Sequence, residues 1–437
     1  MTSPLRVVVI GAGPAGLAAA TVAAENGCQA TLFDDNMAPG GQIWRGCDPA
    51  KAQASPHGHA FARWMRRFHA SGAIFSPTSS VVDNPAPNVL RMERDSNGSM
   101  DIEFDRLILA PGARERFLPF PGWTLPGVTG AGGLQALVKG GLPIAGKRVV
   151  IAGSGPLLLA IAANLRRSGA HIQGIFEQAS WRQLARFAPT LAAHPAKLVE
   201  GVRYRWQTLR SPYKPGRWIV RALGRERIEA VAATNGVRTT TIACDYLACG
   251  FHLVPNLELA QLLGCRIDAG YAAVNAVQET SVRGVYCVGE ATGVGGLEKA
   301  IVEGRIAGLA AADRVVEAAR LLPLRQKHWR FALALDRAFA PRSELRGLAT
   351  PETIVCRCED VTRAELETCA NGRAARLHAR CGMGPCQARV CGPATEFLFA
   401  WSPASVRPPL YPVRVSTLAC NQATRASIRE DERSVMT

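Results

Sequence analysis

The chain has 437 residues, more than a single hydrophobic core organises, so two or three domains are expected. Hydrophobic residues at 48% and charged residues at 20% exclude a largely disordered chain, and no apolar stretch reaches the ~18 residues that cross a bilayer. The net charge of +16 is scattered, with no Lys/Arg block and no interleaved aromatic platform; this argues against nucleic acid and leaves a solvated basic surface or an acidic protein partner.

Met1-Thr2-Ser3-Pro4 run straight into a β-branched strand, Arg6 to Ile10, so no cleavable signal is expected and the expected compartment is the cytoplasm. Gly11-Ala12-Gly13-Pro14-Ala15-Gly16 follows, then an Ala-rich helix from Leu17 to Glu25 and a second strand, Gln29 to Phe33, ending at Asp34. This is the strand–turn–helix–strand context that a dinucleotide fingerprint requires. Gly11 permits the tight turn, Gly13 lets the backbone approach a pyrophosphate, and Gly16 lets helix and strand pack closely. The helix N-terminus turns free amides towards phosphate. Asp34, eighteen positions after Gly16, is placed to accept hydrogen bonds from the adenosine ribose.

Three later segments point to FAD. Gly40-Gly41-Gln42-Ile43 falls where the middle of a flavin nucleotide would pass, and Leu107 to Gly112 reads as a buried strand that breaks at a turn. Gly284 to Glu290 is a further strand ending in Gly289-Glu290, followed by a Gly-rich loop to Gly296 and a helix from Leu297 to Ala310. Together these resemble the two-dinucleotide-domain flavoproteins of the glutathione and thioredoxin reductase superfamily. There the last strand ends in Gly-Asp, whose carboxylate holds the ribityl chain; Glu290 stands in that place, one methylene longer. The resemblance implies an FAD-binding domain built from about 1–115 and 245–320, with Asp105 and Asp245 opening the strands at the crossings out of and back into it. It carries over Pro14, Ala15, Asp35, Val82, Ala110 and Gly112 as cofactor-binding residues beside Gly11, Gly13, Gly16, Asp34, Gly41, Gln42, Gly289 and Glu290.

The insertion, 116–244, repeats the pattern: Lys147 to Ala152, then Gly153-Ser154-Gly155-Pro156-Leu157-Leu158, an Ala/Leu helix, and the strand His171 to Phe176 ending at Glu177. Leu158 replaces the third glycine, which should push the helix off the strand and crowd the pyrophosphate turn. Two readings stand: a working NADH site, or a retained fold that takes no nicotinamide or takes a different nucleotide through Gly153, Gly155 and Glu177. The missing glycine favours the second. No CxxC occurs in the insertion and Cys47 is alone, so disulfide reduction is not expected.

From about 321 to 348 the chain becomes helical and basic, with Phe331, Leu335 and Phe339 forming a one-sided apolar stripe that reads as a docking helix between domains. Thirteen cysteines without a secretory signal argue for metal or redox chemistry rather than a disulfide framework, and five of them gather near the C-terminus. Cys356-Arg357-Cys358 and Cys386 to Cys391 make a CxC and a CxxxxC pair around a helix-sized spacer, Arg363 to Ala370. Four thiolates hold a [2Fe–2S] cluster or a tetrahedral zinc, and CxC is tight for zinc. The cluster ligands expected are therefore Cys356, Cys358, Cys386 and Cys391, with nearby glycine amides turned to the sulfurs. Cys381 is read as a non-ligand and Cys369 as a buried helix residue. His252 is read as a core histidine. Glu298 and Lys299 are either neighbours of the flavin ring or surface charges of their helix.

The cysteine segment, 349–400, resembles the bacterioferritin-associated-ferredoxin-like (BFD-like) [2Fe–2S] domain, and 401–437 is left as a C-terminal tail. The expected fold class is α/β: two Rossmann-like dinucleotide-binding domains, reductase-like, followed by this small α-helical domain. That order is similar to the α (A) subunits of opine oxidases and to the corresponding subunits of hydrogen cyanide synthase and of the dye-linked D-hydroxyproline and proline dehydrogenases. The residues carrying the likeness are Gly11–Gly16, Gly41-Gln42, Gly153–Leu158, Gly250 to Asn256, Gly289 to Gly293 and the C-terminal cysteines. The resemblance implies FAD, a [2Fe–2S] cluster, FMN at the interface with an amino-acid-oxidase-like β subunit, and a small ferredoxin-like γ subunit. It implies electron transfer from an amine oxidised on the β subunit, whether octopine, nopaline, hydroxyproline, proline or glycine. The rival readings are an NAD(P)H-dependent flavin and iron–sulfur oxidoreductase acting alone, and a regulatory or iron-handling module.

Overall fold

The computed structural model describes residues 3–47, 56–94, 98–402 and 406–419; Asp48, Pro49 and 420–437 of the expected tail lie outside them. The chain opens with β1 (Arg6–Ile10), α1 (Pro14–Glu25) and β2 (Gln29–Phe33), and adds β3 (Ile74–Ser76) and β4 (Arg106–Leu109) to the same sheet. Val7, Val8 and Val9 are all buried. A run apolar at consecutive positions suits a parallel strand covered on both faces. Pro14 starts α1 at a position where its missing N–H costs nothing. An antiparallel meander over residues 79–103 stands between β3 and β4.

The second sheet is laid down next: β5 (Val128–Gly130), β6 (Arg148–Ser154), α2 (Leu157–Arg167), β7 (His171–Glu177), β8 (Tyr213–Pro215) and β9 (Tyr246–Phe251). Its order is β8-β7-β6-β9-β5, all parallel. Asp245 therefore does not open a strand of the first fold. β9 pairs with β6 from Val149↔Tyr246 to Ser154↔Phe251, and the return to the first fold falls at Pro255. β10 (Val285–Cys287) then completes the first sheet in the order β10-β4-β1-β2-β3, followed by α3 (Leu297–Ala311) and α4 (Leu322–Ala338).

The chain forms two units. One comprises Met1–Ala113, Pro255–Ala332 and Ser405–Thr437; the other comprises Arg114–Val254 and Leu333–Ala404. The cysteine segment thus shares a unit with the second dinucleotide fold. Leu345 and Leu348 join the apolar cluster of Phe120, Trp123, Phe176 and Trp218, and Trp123 Nε1 donates to the carbonyl of Ile354 at 2.6 Å. In the first unit the segment after 405 packs on the meander. Leu410 is buried and donates its amide to the Val82 carbonyl at 2.9 Å, and Arg414 pairs with Glu93 at 3.1 Å. Among the described residues no helix is long and apolar enough to cross a membrane.

Candidate functional site

The first glycine turn is packed as the fingerprint requires. A β-carbon on Gly11 would stand 2.2 Å from the Ala110 carbonyl oxygen, and one on Gly16 would stand 1.8 Å from that of Gly11. Gly13 meets only Gly41, whose own β-carbon would come 2.9 Å from the Gly13 Cα, so the 40–42 loop rests directly on the turn. Gly40 donates its amide to the Ala12 carbonyl at 2.8 Å. No side chain caps α1, which leaves the first-turn amides of Ala15 and Gly16 directed at whatever anion occupies the turn. Asp34 is buried and accepts from Ala12 N at 2.5 Å and from Asn36 N at 2.8 Å, while Asp35 and Gln42 are exposed. Val82 is buried beneath the meander, and Gly112, at φ 68°, turns β4 out of the sheet.

Glu290 follows the last strand of the first sheet. Its two oxygens accept from Gly295 N and Gly296 N, each at 2.9 Å, at the mouth of α3. The extra methylene lets the carboxylate reach forward onto its own loop, where burial raises its pKa. Beneath this loop lies a network that sequence reasoning does not identify. Lys299 Nζ donates to the Gly289 carbonyl at 2.9 Å, to Thr292 Oγ1 at 3.0 Å and to Glu303 Oε2 at 2.7 Å. Glu303 Oε2 also accepts from Gly289 N at 3.0 Å. Lys299 and Glu303 are 1% and 0% exposed, so Lys299 is not a surface charge; Glu298 is half-buried. Trp329 lies against Gly293 and under the Lys299 ammonium, 5.6 Å from ring centre to Nζ. The one sequence signal for this network is the i, i+4 spacing of Lys299 and Glu303.

In the second fold Leu158 does not crowd the turn. α2 begins at Leu157, so Leu158 is its second residue and faces the sheet, in one cluster with Ile151, Ile161, Leu165 and Ile175. A β-carbon on Gly155 would meet nothing within 4 Å, so the turn itself is open. The acid at the end of β7 is engaged as Asp34 is in the first fold, by the glycine turn and by the amide two residues on. Glu177 is fully buried, with its oxygens taking Gly155 N and Ala179 N at 2.8 Å each. Burial pushes its pKa up to about 7. The segment after α4 crosses the same strand ends. Ser154 Oγ donates to the Phe339 carbonyl at 2.5 Å, Gln178 Nε2 donates to the Ala340 carbonyl at 3.0 Å, and Arg342 N donates to Gln178 Oε1 at 3.0 Å. The Phe331–Phe339 stripe ends in this strap, where Phe339 meets Phe187 edge-on at 5.7 Å.

The cysteines converge. Cys356, Cys358, Cys386 and Cys391 line a cavity of about 350 Å³ together with Trp123, Arg357 and Val390. Cys381, read as a non-ligand, is buried behind them, and the sulfurs of Cys356, Cys381 and Cys391 lie within 4.8 Å of one another. Cys386 is in contact with both Cys391 and Cys358, and so links these three sulfurs to the exposed Cys358. Within this group the Cys356 thiol is pulled down to about 2 by its bonds with Cys381 and Cys391, and that of Cys386 down to about 5, chiefly by Cys391. Cys381 is pushed up to about 12, chiefly by its bond to Cys356. A β-carbon on Gly384 would stand 2.3 Å from Cys358 Cβ, so only glycine lets the two cysteine loops approach this closely. Gly382 N donates to Cys356 Sγ at 3.5 Å, one of the expected amide–sulfur bonds. Cys369 is not a buried helix residue: it follows the helix Arg363–Glu367 and is half-buried. His252 is not an apolar core residue either; at φ 75° it turns Nε2 to Asp336 Oδ1 at 3.0 Å.

Residues 5–312 match the pyridine nucleotide-disulphide oxidoreductase family. The chain is 33% identical to the A subunit of opine oxidase from Rhizobium meliloti (strain 1021), covering 94% of this chain and 98% of that one. It is 31% identical to hydrogen cyanide synthase subunit HcnB of Pseudomonas aeruginosa, over 89% of this chain and 91% of that one. Among solved structures, L-proline dehydrogenase from P. horikoshii superposes with a TM-score of 0.70 at 16% identity, covering 95% of this chain and 79% of its own. T. acidophilum thioredoxin reductase superposes with a TM-score of 0.53 at 18% identity, covering 72% of this chain and all of its own, a likeness of fold. With a flavoprotein-type glycine turn in one unit and a cysteine cavity in the other, and with relatives matched over almost their whole length, the chain belongs to the pyridine nucleotide-disulphide oxidoreductases and, within them, to the group of the opine oxidase A subunits and HcnB.

Proposed function

We propose that the chain is the FAD- and [2Fe–2S]-bearing electron-transfer subunit of a heteromeric dehydrogenase that oxidises an opine or related amino acid on a partner β subunit. The observation that carries this reading is the presence, in one polypeptide, of a flavin-type dinucleotide turn and a cavity lined by four cysteines. Gly11, Gly13, Gly16, Asp34 and the 40–42 loop would hold FAD, with Ala110, Gly112 and Gly289 closing the turn region. Cys356, Cys358, Cys386 and Cys391 would hold the cluster, an all-thiolate set that suits iron–sulfur. A flavin takes electrons in pairs and a [2Fe–2S] cluster moves them singly, so a chain bearing both suits passage from an amine oxidation to a one-electron acceptor.

Support for a partner comes from the relatives, which are named as subunits. An FMN at the β interface and a ferredoxin-like γ subunit belong to the same proposal. An adenine nucleotide in the second fold would be held through Gly153, Gly155 and Glu177, where the Gly155 turn is open. The strap across that fold speaks against an NAD(P)H reductase acting alone.

The test is reduction of an artificial dye by this chain, by a co-expressed amino-acid-oxidase-like β subunit, and by the pair, across octopine, nopaline, D-hydroxyproline, proline and glycine. Activity is expected from the pair, with opines first. Full activity from this chain alone, or a β subunit whose turnover and acceptor choice ignore it, would overturn the division of labour.

A further inference from the structure

Cys356, Cys381 and Cys391 form a triangle of buried sulfurs, and Cys386 joins Cys391 of that triangle to the exposed Cys358. A metal–sulfur bond of about 2.3 Å places two thiolates on one tetrahedral metal roughly 3.8 Å apart. The sulfurs of Cys356, Cys381 and Cys391 lie within 4.8 Å of one another, and Cys386 is in contact with both Cys391 and Cys358. Two sets of four thiols, each divisible into two touching pairs, therefore exist. The outer set pairs Cys358 with Cys386 and Cys391 with Cys356. The inner set pairs Cys386 with Cys391 and Cys356 with Cys381. Three ligands are common to both, and the sets differ only in whether Cys358 or Cys381 is used.

We propose that Cys381 is a fifth ligating residue, and that the cluster occupies either the outer set or the inner set. This rests on the reading of the site as iron–sulfur. The exchange is redox-neutral. Two iron–sulfur bonds break and two form: Cys358 leaves the first iron, Cys391 passes from the second iron to the first, and Cys381 takes the place vacated on the second. The Cys381 thiol gives its proton to solvent, and the released Cys358 thiolate takes one from solvent. Iron and sulfide counts are unchanged. The inner set draws the ligands away from solvent, since Cys358 is exposed and Cys381 is 6% exposed.

The experiment compares iron and acid-labile sulfide per chain, and the EPR spectrum after dithionite, in anaerobically purified wild type and in Cys358→Ser, Cys381→Ser, Cys356→Ser and the Cys358→Ser/Cys381→Ser double variant. Each of the first two single variants is expected to keep at least half of the wild-type iron, with different g-values from one another. The double variant and Cys356→Ser are expected to keep less than a tenth. Flavin content reports folding of the first unit throughout. Loss of iron in Cys358→Ser as complete as in Cys356→Ser, with Cys381→Ser unaffected, would overturn the inference. Should Cys358→Ser not fold, wild type treated anaerobically with iodoacetamide is expected to be alkylated at Cys358 while retaining its iron. Protection of Cys358 for as long as iron is bound would overturn the inference equally. Zinc without iron in the wild type would instead remove the iron–sulfur reading itself.

Discussion

Lys299 Nζ stands 2.7 Å from Glu303 Oε2 with both side chains shut off from solvent, directly beneath the Gly289–Gly293 loop. Three of the ammonium's contacts and two of the loop's backbone groups depend on this pair. Replacing Lys299 by Met leaves the buried Glu303 with Arg325, at 3.6 Å, as its remaining cationic partner among the described residues. The expected loss is roughly 3–5 kcal/mol of stability in chemical denaturation, with much of it recovered in Lys299→Met/Glu303→Leu. A single variant as stable as wild type would show that the pair does not hold the loop.

Cys386 is common to both four-thiol sets and stands between Cys358 and Cys391. Cys386→Ser is expected to leave less than a tenth of the wild-type iron and sulfide while flavin stays at the wild-type ratio. Metal analysis and the flavin absorbance of the same sample read both quantities.

NADH is expected not to reduce the flavin at a useful rate, because the strap lies across the strand ends of the second fold. Anaerobic mixing with stoichiometric NADH checks this; bleaching of the flavin within seconds would contradict it.

Glu177 sets a pH dependence. Its folded pKa, pushed up to about 7 from the ordinary 4.5, means that the unfolded chain ionises first as pH rises. Its contribution to stability is therefore greatest below 4.5, falls between 4.5 and 7, and is level above that, a change on the order of 3 kcal/mol. Denaturation of wild type and Glu177→Gln across that window should show the wild-type value falling relative to the variant as pH rises. A constant difference would place the carboxylate in a more polar setting than the one described.

Asp34 gathers the Ala12 amide and Asn36. Asp34→Ala removes a charge-assisted acceptor, costing about 1.5–3 kcal/mol at the turn. The purified variant is expected to lose flavin on dialysis that wild type survives.

Both glycine turns and the two parallel sheets are legible in the sequence because each rests on local rules: β-branched runs, glycines where backbone meets backbone, an acid at the next strand's end. What escapes is non-local. Leu158 reads as an obstacle because its position relative to the helix start cannot be known before that start is fixed at Leu157. Lys299 reads as either a neighbour of the flavin ring or a surface charge of its helix, and its burial beneath the loop, with Nζ on the Gly289 carbonyl, is set by chain folded over it. Spacing alone sets Cys381 aside. Spacing says nothing about the turn at Gly382, where φ is 81° and the chain folds back so that Cys381 faces Cys356 and Cys391.

The strap from Phe339 to Arg342 makes the second fold inseparable from the cysteine segment beyond it. Ser154 and Gln178 lie buried at the strand ends, and their polar atoms find partners in chain that comes some 160 to 185 positions later. A chain truncated before the strap would lose those hydrogen bonds and uncover the apolar side chains that Phe339, Leu345 and Leu348 pack against. Excision of the cysteine module together with its strap is therefore expected to unfold its neighbour rather than yield a smaller flavoprotein. Any attempt to recover nicotinamide binding in this scaffold must replace the strap's hydrogen bonds before it restores the glycine.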